Sequence, residues 1–149
     1  MDLGVEWDTG APMPVLIAAE RTFVAFYRSL PDPLWDGTPK MRYPLIDEGI
    51  GVIEFTNVTA IQMGGPNDEG MHSHWLWGSG LEQYRAHLVE NSTRIEESER
   101  SSCLHYVLTF HDETVECLAG SAIGRAAKGT LSHAVSVLGS LSTRREPQD

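Results

Sequence analysis

The stretch "CLHYVLTFHDETVECLA", residues 103–119, constrains the fold more than any other part of the chain. Two runs rich in apolar and β-branched residues flank the polar "HDET", which is the pattern of a β-hairpin. Side chains alternate across a strand, so Tyr106, Leu108, Phe110, Val115, Cys117 and Ala119 share one face, and that face is fit for a core. The opposite face carries His105, Val107, Thr109 and His111 on one strand, with Glu116 and Leu118 on its partner. Asp-Glu is poor chemistry for a primed two-residue turn, so a four-residue loop is expected, with Phe110 opposite Val115 and Thr109 opposite Glu116. A sheet is implied whose hidden face is hydrocarbon and whose other face gathers imidazoles and a carboxylate.

The flanking segments extend this sheet. "PVLIAAERTFVAFYRS" (14–29) admits two readings, a helix with Leu16, Ala19, Phe23 and Phe26 on one stripe or, preferred for its prolines and aromatic alternation, two strands around a turn at Glu20-Arg21; "GIGVIEFTNVTAIQM" (49–63) reads as one long strand or two. "LPDPLWDGTP" (30–39) is loop by its prolines and Asp-Gly pair, and "GGPNDEG" (64–70) breaks the chain again. Ser79 and Glu82 have the spacing of a capping box, and Leu81, Tyr84, Leu88 and Ile95 continue at helical intervals, so a helix is expected from there to "RIEESER". A second helix is expected in 121–142, where Leu131, Val135, Leu138 and Leu141 align. The expected architecture is α+β: an antiparallel β-sheet, with a barrel-like variant as alternative, and one or two helices packed on one face. Residues 1–142 read as a single domain and 143–149 as a disordered tail.

Composition narrows the function. Among 149 residues, 41% are hydrophobic, enough to bury a core. The net charge of −10 and scattered basic residues do not suit binding to a phosphate backbone, so no nucleic-acid partner is expected. No apolar run reaches the ~20 residues of a membrane span, and the acidic start lacks signal-peptide character, so no membrane association is expected and the cytoplasm is the expected location. Cys103 and Cys117 fit a reducing compartment.

The candidate chemistry lies in "HSHW" and the hairpin. His72 and His74 fall on one face if extended, as in a two-histidine metal half-site, but Glu82 reads as a cap and no later glycine-rich histidine segment follows. Trp75 and Trp77 either anchor this loop on the core or stack on a ligand. A carboxylate beside a histidine fixes its tautomer and raises its basicity, which makes Glu116 and its neighbouring histidines an acid–base set. On the expected helix, Asn91 and Ser92 share the apolar side, with Arg85 at its edge, so Asn91 either ties helix to sheet or faces a pocket. No nucleophile-elbow, Walker or dinucleotide glycine pattern is present.

"PNDE", "HWLWGSGLEQY", "ENS" and "YVLTFHDETVECLA", spanning roughly 65–119, resemble a group of small bacterial proteins. Those share an N-D-E loop, an H-P-L-x-x-x-G-L segment, an N-S pair and an F-H-D-x-x-x-E-C hairpin; here Trp75 replaces the proline. The resemblance carries no activity, and singles out His74, Asn91, His111, Asp112 and Glu116 as pattern positions.

Three functions follow as expectations. The first is a small cofactor-independent enzyme acting on an apolar or aromatic small molecule, of cyclase, isomerase or dehydratase type. In it His74, His111 and Glu116 handle protons, Arg85 and Asn91 orient the substrate, and Trp75, Trp77, His72 and His105 line the pocket. The second is a non-catalytic acidic protein that docks a partner, as an immunity factor does. The third is a His-ligated metal protein. A homodimer is compatible with each.

Overall fold

Alternation of large apolar and small or polar residues builds eight strands, which a computed structural model arranges in two antiparallel sheets; the described residues are 1–7, 14–31, 34–38, 45–97 and 102–143. The first sheet has the order β1 (Val15–Ala18), β2 (Thr22–Pro31), β3 (Leu45–Thr56) and β8 (Ser121–Ala127). The second has the order β4 (Ala60–Gly64), β7 (Thr114–Ala119), β6 (Leu104–Thr109) and β5 (Ala86–Val89). Two 3-10 turns, Met71–Ser73 and Trp77–Ser79, and two α-helices, the short α1 (Thr93–Glu97) and α2 (Leu131–Ser142), complete the described elements. The α+β expectation holds, as two sheets rather than one closed barrel.

Apolar faces of both sheets meet in one core. Val24, Phe26, Ile53 and Phe55 come from the first sheet, and Tyr106, Leu108, Phe110, Val115, Cys117 and Ala119 from the second. Between them runs the N-terminal segment, in which Leu3, Val5 and Trp7 alternate inward. Trp7 stacks on Phe110 at 4.9 Å, meets Phe26 edge-on at 5.0 Å, and donates its indole N–H to the Thr109 carbonyl at 2.9 Å. The segment needs close approach to β8: the Gly124 amide donates to the Leu3 carbonyl at 2.6 Å, and a Cβ on Gly124 would collide with Val5. The chain changes sheet twice at one corner, through Asn57 after β3 and through Gly120 before β8. There the Gly120 amide donates to the Thr56 carbonyl at 2.9 Å.

The outer faces are covered differently. α2 lays Ala134 and Leu138 on Phe23, Ala25 and Ile50 of the first sheet, with Thr130 capping its first turn. On the second sheet, the irregular segment 65–85 folds over Val107 with Met71, Leu76 and Leu81.

Three sequence expectations are corrected. The helix expected from Ser79 is absent: Trp77–Ser79 is a 3-10 turn, Tyr84 has φ 58°, and 86–89 is strand β5 paired with β6. Strand pairing outweighs a local capping pattern, and Glu82 instead sits exposed beside Arg85 at 2.8 Å. The expected 121–142 helix is half strand; it begins only at Leu131, after Gly129 at φ 135°. The hairpin has the expected faces but a register two residues shorter, with Val107 opposite Glu116 and Thr109 opposite Thr114. The Phe110 amide reaches the Glu113 carbonyl at 2.9 Å, so only His111 and Asp112 form the loop. The 14–29 strand pair and the division of 49–63 match the expectation, while the tail 144–149 and residues 98–101 lie outside the described residues.

Candidate functional site

Glu116 stands on the outer face of β7, where alternation turns it away from its core neighbours Val115 and Cys117. Its carboxylate is enclosed by four donors. Oε1 accepts from His74 Nε2 at 3.0 Å and from the Trp75 indole N–H at 3.1 Å. Oε2 accepts from His105 Nε2 at 3.1 Å, with Arg94 Nε at 3.4 Å. Burial opposes the charge on this side chain, which is 13% exposed, but the His105 and Trp75 bonds, the Arg94 guanidinium and the nearby His74 ring prevail, lowering its pKa from 4.5 to about 2. Glu116 is therefore a fixed negative charge at neutral pH, and it holds its neighbours in place rather than taking up a proton.

The histidines differ in what their far nitrogens do. The Leu76 amide donates to His74 Nδ1 at 3.2 Å, so the neutral ring carries its proton on Nε2, toward Glu116. His74 is thus occupied on both sides. His105 is fully buried, and its Nδ1 lies 2.7 Å from the Ser92 hydroxyl. With its Nε2 proton given to Glu116, a neutral His105 accepts the Ser92 hydroxyl proton at Nδ1. The order is carboxylate, imidazole, hydroxyl. Trp75 lies nearly parallel to His105 with ring centroids 6.0 Å apart, and the Arg94 guanidinium sits 5.4 Å over its ring.

This group borders an open groove of about 400 Å³, walled by Trp75, Leu76, Leu81, His87, Val89 and Ser92. His87 is held neutral there: burial lowers its pKa, and its Nε2 accepts the Glu82 amide at 3.0 Å. Trp75 and Ser92 join the wall to the bonded group through their side chains, and Leu76 does so through its backbone amide.

His111 takes different partners. Its Nδ1 lies 2.7 Å from Asp68 Oδ2, which also accepts the Tyr84 hydroxyl. Burial works against ionisation of Asp68, but the bonds from Tyr84, His111 and the Glu69 amide hold its carboxyl below the usual range. With Gln83 Nε2 donating to the Asp68 carbonyl at 2.7 Å, this second cluster pins 65–85 to the hairpin tip.

Of the residues singled out by sequence, His74, Trp75, His105 and Glu116 converge. His72, Trp77 and Arg85 are exposed; Asn91 is an exposed turn residue at φ 53° rather than a helical one, and it lines the groove. Three further residues belong to these clusters: Ser92, Arg94 and Asp68. Ser92 is buried by the turn after β5 rather than on a helical face, and its signal in the sequence is the serine of "ENS"; that of Asp68 is "PNDE".

Among the described residues, no group of three His, Cys, Asp or Glu side chains is placed to hold a metal ion. The donor set also disfavours a cation on Glu116. His74 presents N–H rather than a lone pair, and an indole N–H and a guanidinium already occupy the carboxylate. No helix among the described residues is long and apolar enough to cross a membrane. Comparison with known proteins returns no matching family model, curated protein or solved structure.

Proposed function

We propose that the chain is a cofactor-independent small-molecule enzyme whose ligand occupies the groove beside Trp75 and Ser92, and whose working base is His105. One observation carries this reading: two groove-wall residues, Trp75 and Ser92, bond directly to the pair formed by Glu116 and the buried His105. A pre-ordered carboxylate–imidazole pair with one imidazole nitrogen directed at a groove hydroxyl has the geometry of general-base catalysis. The Trp75 ring with Leu76, Leu81 and Val89 gives the wall an apolar side, and Glu90, Asn91 and Thr93 give it a polar one, which suits an apolar or aromatic body that also bears polar groups. His74 serves by holding Glu116, and His111 by holding Asp68. The rival docking reading calls for these side chains spread over a convex surface, whereas His74, His105 and Glu116 gather within hydrogen-bond distance.

Titration with 4-nitrotoluene, a neutral aromatic quencher, tests the groove. Saturable quenching of tryptophan emission is expected, lost in Trp75→Phe, with amide shift changes confined to 75–81 and 87–93. Non-saturable quenching, or shifts centred elsewhere, overturns the reading.

A further inference from the structure

The groove reading leaves Ser92 without a chemical role, and its surroundings supply one. Ser92 is 4% exposed, so its hydroxyl is held among protein atoms, and it still forms part of the groove wall. Its position is a sharp strand-to-helix turn: β5 ends at Val89, Asn91 takes a left-handed φ of 53°, and α1 begins at Thr93. Asparagine is among the residues that tolerate that conformation best. The Ser92 carbonyl accepts the Ile95 amide at 3.1 Å, so the backbone on the helix side is fixed as well. The turn places Oγ 2.7 Å from His105 Nδ1, and His105 Nε2 is 3.1 Å from Glu116 Oε2.

We propose that Ser92 is a nucleophile that accepts an acyl group from a small neutral ester with an apolar or aromatic body, a proposal that rests on the groove reading above. Ser92 Oγ forms a bond to the acyl carbon as its proton passes to His105 Nδ1. The imidazolium is stabilised by ionised Glu116, which stays deprotonated because three further donors hold its charge. The tetrahedral adduct collapses with cleavage of the ester C–O bond, and the leaving alkoxide takes the proton from Nδ1. Water then repeats the sequence: its proton goes to Nδ1, its oxygen attacks the acyl-serine, and the departing Ser92 oxygen recovers the proton. Ester and water become acid and alcohol, with the protein unchanged. Relative to the familiar arrangement of such triads the two imidazole nitrogens exchange partners, and either nitrogen serves as base when the other is held by a carboxylate.

Incubation of the intact protein with diisopropyl fluorophosphate, followed by intact mass and peptide mapping, tests the assignment. One adduct on Ser92 is expected. It should be absent in Ser92→Ala and form at least 100-fold more slowly in His105→Gln, with folding of each variant checked by circular dichroism. Hydrolysis of 1-naphthyl acetate is expected to fall in parallel. A folded wild-type protein that gains no adduct at Ser92, or labelling that persists in Ser92→Ala, overturns the proposal. Saturable 4-nitrotoluene quenching without an adduct removes the nucleophile and leaves the groove; loss of both removes both.

Discussion

Replacing Glu116 by glutamine keeps the shape of the side chain and removes its charge. Four donors now face one carbonyl oxygen and one amide NH2, so donors on one side confront another donor. The pKa displacement from 4.5 to about 2 gives the scale of the loss. At ~1.4 kcal/mol for each tenfold change in acidity constant, the ionised form is favoured by about 3 kcal/mol, or about 2–3 after allowing for water at its exposed edge. Because the folded value lies below the unfolded one, protonation favours the unfolded chain. The stabilisation is complete above pH ~4.5 and drains away as pH falls toward ~2. Urea unfolding, followed by tryptophan emission from pH 7 to pH 3, should show wild type about 2–3 kcal/mol more stable than Glu116→Gln at neutral pH. More than half of that gap should be gone by pH ~3. The other carboxylates titrate in both proteins and cancel in the difference. A gap that stays flat across this range, or no gap at pH 7, refutes the account of Glu116 as a charge held by its four donors.

Other outcomes test the frame around the site. Trp7→Ala should cost about 3–5 kcal/mol in urea unfolding, because it removes a stacked ring from between the sheets. Gly124→Ala should destabilise by about 1–3 kcal/mol, since the added methyl meets Val5 and the Leu3 carbonyl oxygen at 2.8 Å, and backbone yields poorly. Asp68→Asn should raise hydrogen exchange across 65–85 while leaving β2 and β3 protected. Burial, and then the neighbouring Cys103, push the Cys117 thiol up to about 12, so iodoacetamide should leave it unmodified in the folded protein at pH 8 and alkylate it in urea.

The hairpin faces were legible because alternation survives any even change of register; the register was not, because the loop shrank to His111-Asp112, a pair with no primed-turn signature. The false helix came from local chemistry that was real in itself: Ser79 and Glu82 have capping spacing, but Ala86–Val89 finds a partner in β6, and four residues are too few to show a strand period. The N-terminal strip is written in Leu3, Val5 and Trp7, every second residue, but three apolar positions are too few to announce a strand by themselves. At the site, His74 and Glu116 could be chosen by residue type. Ser92 could not be chosen by motif, because its turn uses Asn91 where a search expects glycine.

β7 gives alternate residues to opposite tasks: Val115, Cys117 and Ala119 to the interior, Glu116 to the bonded group outside. In evolution such a strand is a two-channel message. Each channel answers to its own surroundings, the odd positions to the core and Glu116 to its donors, so a conservative replacement in one need not disturb the other. A single-residue insertion or deletion would exchange the channels, driving a carboxylate inward and a valine outward. Strand β7 should therefore accept a conservative replacement more readily than any single-residue change of length.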